Sequence, residues 1–144
     1  TTEGGLDIIK TKNKLKETIK KLYDEEIPVS LFVDPLQEVL EISAEIKADW
    51  VELHTGKYAS AKYKDREMQL SILKENTAKA KTYGLRVNAG HGLTYQNVEQ
   101  IAAIEGMEEL NIGHTIVARA LAVGLTQAVR EMKNLILNPR KNNF

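Results

Sequence analysis

Cysteine is missing from the 144 residues, which excludes disulfides and thiolate metal sites. Net charge is missing too. The 20 basic residues offset 20 acidic ones, so there is no basic footprint for nucleic acid and no pull towards an anionic membrane. No apolar run approaches membrane-spanning length. The opening Thr1-Thr2-Glu3-Gly4-Gly5 carries neither an initiator methionine nor tag-like residues, and reads as the interior of a longer protein. What is present is 42% hydrophobic and 28% charged, the make-up of one soluble globular unit, expected in the cytoplasm.

Residues 1–7 are small, polar and glycine-rich, and read as a mobile loop. Leu15, Ile19, Leu22 and Tyr23 then recur at helical spacing and predict a helix over 11–25, stopped by Pro28. Four short apolar runs follow, at 29–34, 50–54, 85–89 and 109–112, each read as a strand. Helical patterns separate them over 36–47, 62–83 and 95–104. A last one runs to about Leu137 with a possible break at Gly124. The basic, asparagine-rich tail from Asn138 to Phe144 reads as solvated or frayed.

Strands alternating with helices imply a parallel sheet, either open and doubly wound or part of a (β/α)8 barrel. Alternation within the strands separates the two. One parity carries Val29, Leu31, Val33, Val51, Leu53, Leu85, Val87, Leu110 and Ile112; the other carries Ser30, Phe32, Asp34, Trp50, Glu52, His54, Arg86, Asn88, Glu109 and Asn111, and is largely polar. A sheet covered by helices on both faces needs both parities apolar, whereas a barrel lumen accepts a polar one. Four strands cannot close and a full barrel takes about 250 residues. The expectation is strands five to eight of a (β/α)8 TIM barrel, the first half lying elsewhere.

Barrel active sites form at the carboxyl ends of the strands. The pattern puts Asp34, Glu52 with His54, Asn88 with His91, and Asn111 with His114 at that rim, so all three histidines converge there. Asn88-Ala89-Gly90-His91-Gly92 sets a titratable imidazole between two glycines, where backbone can bend and a ligand can approach closely. Gly113-His114 before a helix start, with Gly92 in the neighbouring loop, reads as a phosphate cradle. Glu52 faces the lumen and must either meet a cation, with Arg86 the candidate, or carry a proton. His54, His91 and His114 could in principle hold zinc, although their spacing does not demand it. No strand ends in a lysine, and Lys57 lies two residues too far along, which disfavours a Schiff-base aldolase.

Five stretches taken together closely resemble the pyridoxine 5′-phosphate synthase family: Thr1 to Asp7, Val29 to Asp34, Glu52 to Gly56, Asn88 to Tyr95 and Glu109 to His114. The resemblance runs in order along the whole chain and corresponds to the C-terminal part of that enzyme. It implies a barrel that condenses 1-deoxy-D-xylulose 5-phosphate with 3-amino-2-oxopropyl phosphate to pyridoxine 5′-phosphate, phosphate and water. It also implies no metal or organic cofactor and a cytoplasmic homo-octamer. By the same match His91 is the general acid for a leaving hydroxyl, and Glu52 stabilises a transition state. Gly92, Gly113 and His114 contact a phosphate, and Thr1 contacts substrate. The family's remaining acid–base residues and most of its arginine ligands lie in the first half. This chain by itself is therefore expected to be inactive, with a nick or gap before Thr1 and an N-terminal fragment completing the barrel. The competing readings are a non-catalytic phosphate-binding half-barrel and a different sugar-phosphate barrel enzyme.

Overall fold

In the computed structural model, residues 4–139 are described. The first helix, α1 (Ile8–Asp24), starts a turn earlier than its apolar stripe suggests, because the Asp7 carboxylate accepts from the Lys10 N–H and caps it. Strand β1 (Ser30–Val33) and helix α2 (Gln37–Glu45) follow on either side of the Asp34-Pro35 step. Strand β2 (Trp50–His54) runs directly into a short helix absent from the sequence reading, α3 (Gly56–Ser60). Five residues are too few to show a period. The long helix is α4 (Tyr63–Thr82), and Gly84, at φ 81°, turns the chain into β3 (Arg86–Gly90). Helix α5 (Val98–Ala102) is shorter than its pattern, since the Asn97 side chain accepts from the Thr94 N–H and holds a turn there. Strand β4 (Met107–Asn111) leads to α6 (His114–Val123) and α7 (Leu125–Leu137), separated at Gly124 as the sequence suggested.

The strands form one parallel sheet in the order β1-β2-β3-β4. Among the described residues the strand order does not reverse. The apolar parity of the first three strands is buried: Val33, Val51, Leu53 and Val87 are inaccessible and pack with Leu40, Ile46, Leu73 and Ala80 from the helices, whereas Leu110 and Ile112 are only partly buried. Strand β4 begins two residues before its predicted start. A bulge shifts the register between Val87 and Asn88, pairing Met107 with Val87 but Glu109 with Asn88. The extra residue, Glu108, breaks the two-residue alternation, which hid this end of the strand from sequence reading.

Among the described residues no helix is long and apolar enough to cross a membrane. Residues 4–7 lie beside β1, where the Leu6 N–H donates to the Phe32 carbonyl at 2.8 Å. Thr1 and most of the basic tail fall outside the described residues.

Candidate functional site

Parallel strands share one carboxyl rim, and the register decides which side chains meet there. Phe32 pairs with Glu52, Glu52 with Asn88, and Asn88 with Glu109, which makes one polar row. The row above aligns His54 with Gly90 and Gly90 with Asn111. Gly90 contributes no side chain to that row, and Glu52 rises through the gap. Its Oε2 accepts from Asn111 Nδ2 at 2.8 Å. A Cβ on Gly90 would collide with Glu52 Oε1, so the glycine is what lets the carboxylate reach the rim. Burial pushes the Glu52 carboxyl above its ordinary range; the Asn111 bond opposes that shift and the negative charge of Glu109 adds to it.

The cation expected for Glu52 lies elsewhere. Arg86 sits at the opposite end of β3, where it is ion-paired with Glu108 and stacked over the Trp50 ring at 4.5 Å. The bulge that places Glu108 on the same face as Arg86 supplies this pairing. Glu52 therefore meets an amide and not a guanidinium.

His91 follows Gly90 directly and takes φ 83°, a left-handed conformation that costs a side-chain-bearing residue energy. Thr55 holds it there, its single hydroxyl hydrogen shared between the carbonyl oxygens of Gly90 and His91, which lie 2.7 and 2.6 Å from Oγ1. The His91 ring lies 4.8 Å from that of His54, tilted by 53°. His54 is buried, with Nδ1 3.1 Å from Asp34 Oδ1 and the Phe32 ring edge-on at 5.2 Å. Gly56 makes room for both imidazoles: a Cβ there would stand 2.6 Å from His54 Nε2 and 3.1 Å from His91 Cδ2.

Across the rim, Gly113 caps α6 with no side-chain bond, and His114 is its first residue. The N–H groups of His114 and Thr115 at the start of α6 are therefore open to an anion, those of Ile116 and Val117 being bonded to the Gly113 carbonyl. Gly92, at φ 73°, brings a second loop alongside. Glu52, His91, Gly92, Asn111, Gly113 and His114 share one cavity of about 290 Å³. His54 does not line it; it belongs with Asp34, Gly56, Lys57 and the other side of His91 to a neighbouring cavity of about 330 Å³. Among the described residues no three His, Cys, Asp or Glu side chains gather as a metal site.

Sequence reasoning named Asn111 as a rim residue but missed it as the partner of Glu52. The sequence pattern gave Thr55 and Gly56 no role beyond ending the second strand. The signal for the first was the glycine between the two strands' polar positions, legible only once the register is known. Nothing local signals the Thr55 clamp, which joins residues 35 and 36 positions apart.

A parallel α/β sheet with ionisable side chains, glycine loops and an uncapped helix start at one rim has the layout in which α/β proteins hold small anionic ligands, at the carboxyl ends of their strands. Comparison with known proteins narrows this. Residues 1–138 match the family described as pyridoxal phosphate biosynthesis protein PdxJ, and the chain belongs to that family. It is 76% identical over 144 residues to pyridoxine 5′-phosphate synthase of Prochlorococcus marinus (strain NATL1A), covering 100% of this chain and 59% of that protein. The namesake from Synechococcus sp. (strain WH7803) is 64% identical over 142 residues, 99% of this chain and 58% of its own length. The chain thus spans a little under three-fifths of these curated relatives.

Proposed function

We propose that this chain is the second half, strands five to eight, of a single (β/α)8 barrel domain. The completed barrel is a cytoplasmic pyridoxine 5′-phosphate synthase, a ring-closing transferase that works as a homo-octamer. It condenses 1-deoxy-D-xylulose 5-phosphate with 3-amino-2-oxopropyl phosphate. The observation that carries the reading is the cavity shared by Glu52, His91 and the Gly92, Gly113 and His114 loops. A phosphate held on the Gly113 helix start and by Gly92 puts the carbon chain of its ester against His91 and Glu52. His91 gives a proton to a departing hydroxyl, which leaves as water. Glu52, lifted by burial, stabilises positive charge that develops as the substrate's own amine forms an imine. That amine makes an enzyme lysine unnecessary. The first half of the barrel brings the remaining acid–base groups, so this chain alone turns nothing over. Thr1, by resemblance a substrate contact, belongs to the loop after strand four.

The test is His91→Ala in the completed barrel. Turnover falls by about two to four orders of magnitude, the share of a positioned general acid, while phosphate binding is retained. Unchanged turnover removes His91 from the chemistry. Phosphate binding without turnover in the unaltered, completed barrel leaves only a non-catalytic binding half, and turnover of one ketose phosphate without an amine partner points to a different sugar-phosphate enzyme.

A further inference from the structure

His54 has no part in the reaction just described, yet its environment is built. The residue is 7% exposed, and its Nε2 is a buried polar atom with no hydrogen-bond partner among the described residues. Such an atom costs free energy unless something uses it. Its other nitrogen is accounted for: Nδ1 lies 3.1 Å from Asp34 Oδ1. An ionised carboxylate can only accept, so Nδ1 carries the hydrogen, and in the neutral ring Nε2 is then an acceptor. The nearest ring is His91, 4.8 Å away, and the side-chain-free Gly56 adjoins both His54 Nε2 and His91 Cδ2.

We propose that Asp34 and His54 are positioning residues for His91: with ligand in the cavity, His54 Nε2 accepts a hydrogen bond from the His91 ring N–H. The bond fixes the plane of His91 and leaves its other N–H aimed at the leaving hydroxyl. This rests on the reading of His91 as a general acid. In the free chain the rings are tilted by 53° and not bonded, and contacts of this kind commonly tighten only when substrate is bound. The change required is one of the His91 side chain alone, its backbone being held at φ 83° with its carbonyl bonded by Thr55. The charged and titratable groups around the pair are Asp34 beyond β1, Glu52 on β2, Lys57 on α3 and His114 on α6. Asp34 alone among them is bonded to His54.

Two substitutions of His54 in the completed barrel separate positioning from packing. His54→Phe keeps a ring against Phe32 and His91 but has no acceptor. His54→Gln loses the ring and keeps an acceptor near the Nε2 position. The expected result is a fall in kcat of about tenfold to a hundredfold for Phe, part of what a general acid contributes, with KM unchanged and with Gln within a few-fold of the parent. Full kcat in the Phe variant, a loss confined to KM, or a Gln variant as slow as Phe each overturns the proposal. Should either variant fail to fold, Asp34→Asn decides the same question, a fall in kcat at constant KM being required. If the unaltered barrel shows no turnover, the enzyme reading fails by itself. Long-range proton–nitrogen spectra with inorganic phosphate bound then report the pair directly. His54 protonated at Nδ1 and a His91 N–H signal that moves in His54→Phe sustain it; a His54 protonated at Nε2, or an unmoved signal, ends it.

Discussion

Glu52 occupies the rim because its neighbour has no side chain. Gly90 opens a gap in the row that contains His54 and Asn111, and the carboxylate fills it. Partial burial lifts the Glu52 carboxyl, so the folded chain binds that proton more tightly than the unfolded chain does. Its contribution to stability is therefore complete in acid, below the ordinary carboxylate range, and is lost as pH rises through the raised midpoint. Gln at position 52 still offers a carbonyl to Asn111 and cannot ionise. Thermal melts should show Glu52→Gln matching the parent in acid and melting higher at neutral pH; a variant that melts lower at neutral pH contradicts the burial argument. The presence of a polar, inward Glu52 was legible from strand parity. Its partner was not, since parity says which face a residue occupies and nothing about its height along the strand. Arg86 shares that face with Glu52 yet stands at the other end of its strand, beside Trp50.

The elements follow the sequence where a period is long enough to read. Helices α1 and α2 carry apolar stripes, α4 buries Leu73, Thr77 and Ala80 on one side, and α7 buries Ala128 and Met132 one turn apart. Short or irregular elements escaped for physical reasons: α3 is a little over one turn, and the bulge at Glu108 interrupts the alternation of β4. The α6–α7 junction is conformational. Gly124 has φ 82° and ψ 153°, a region that a side chain makes unfavourable by about 1–3 kcal/mol. Gly124→Ala should lower the melting temperature accordingly. An unchanged melting temperature would mean that the two helices can merge or bend without that backbone angle.

Across the whole molecule, one side remains apolar and uncovered. Leu121 is 88% exposed on α6, Leu125 is 62% exposed at the start of α7, and no residue of α6 is buried. Strands β1 and β4 are the sheet's edges; the Leu6 N–H covers part of β1 by bonding the Phe32 carbonyl, and sheet edges favour association. If an N-terminal half completes the barrel, it covers these surfaces. The chain by itself should then associate with rising concentration in sedimentation experiments. Co-expression with the N-terminal half should replace that association by one discrete assembly. A chain that stays monomeric at high concentration and ignores the other half would refute the closure.

Composition, alternation and motif order were enough, read along the chain, to give a parallel α/β sheet with a polar rim and the family it resembles. Those properties are local or periodic: a side chain's type and spacing dictate which face it occupies. The partner of Glu52, the clamp on His91 and the Asp34–His54–His91 line depend on strand register, one bulge and two side-chain-free positions, Gly56 and Gly90. Such features join residues about 20 to 60 positions apart, and only the packed sheet determines their distances.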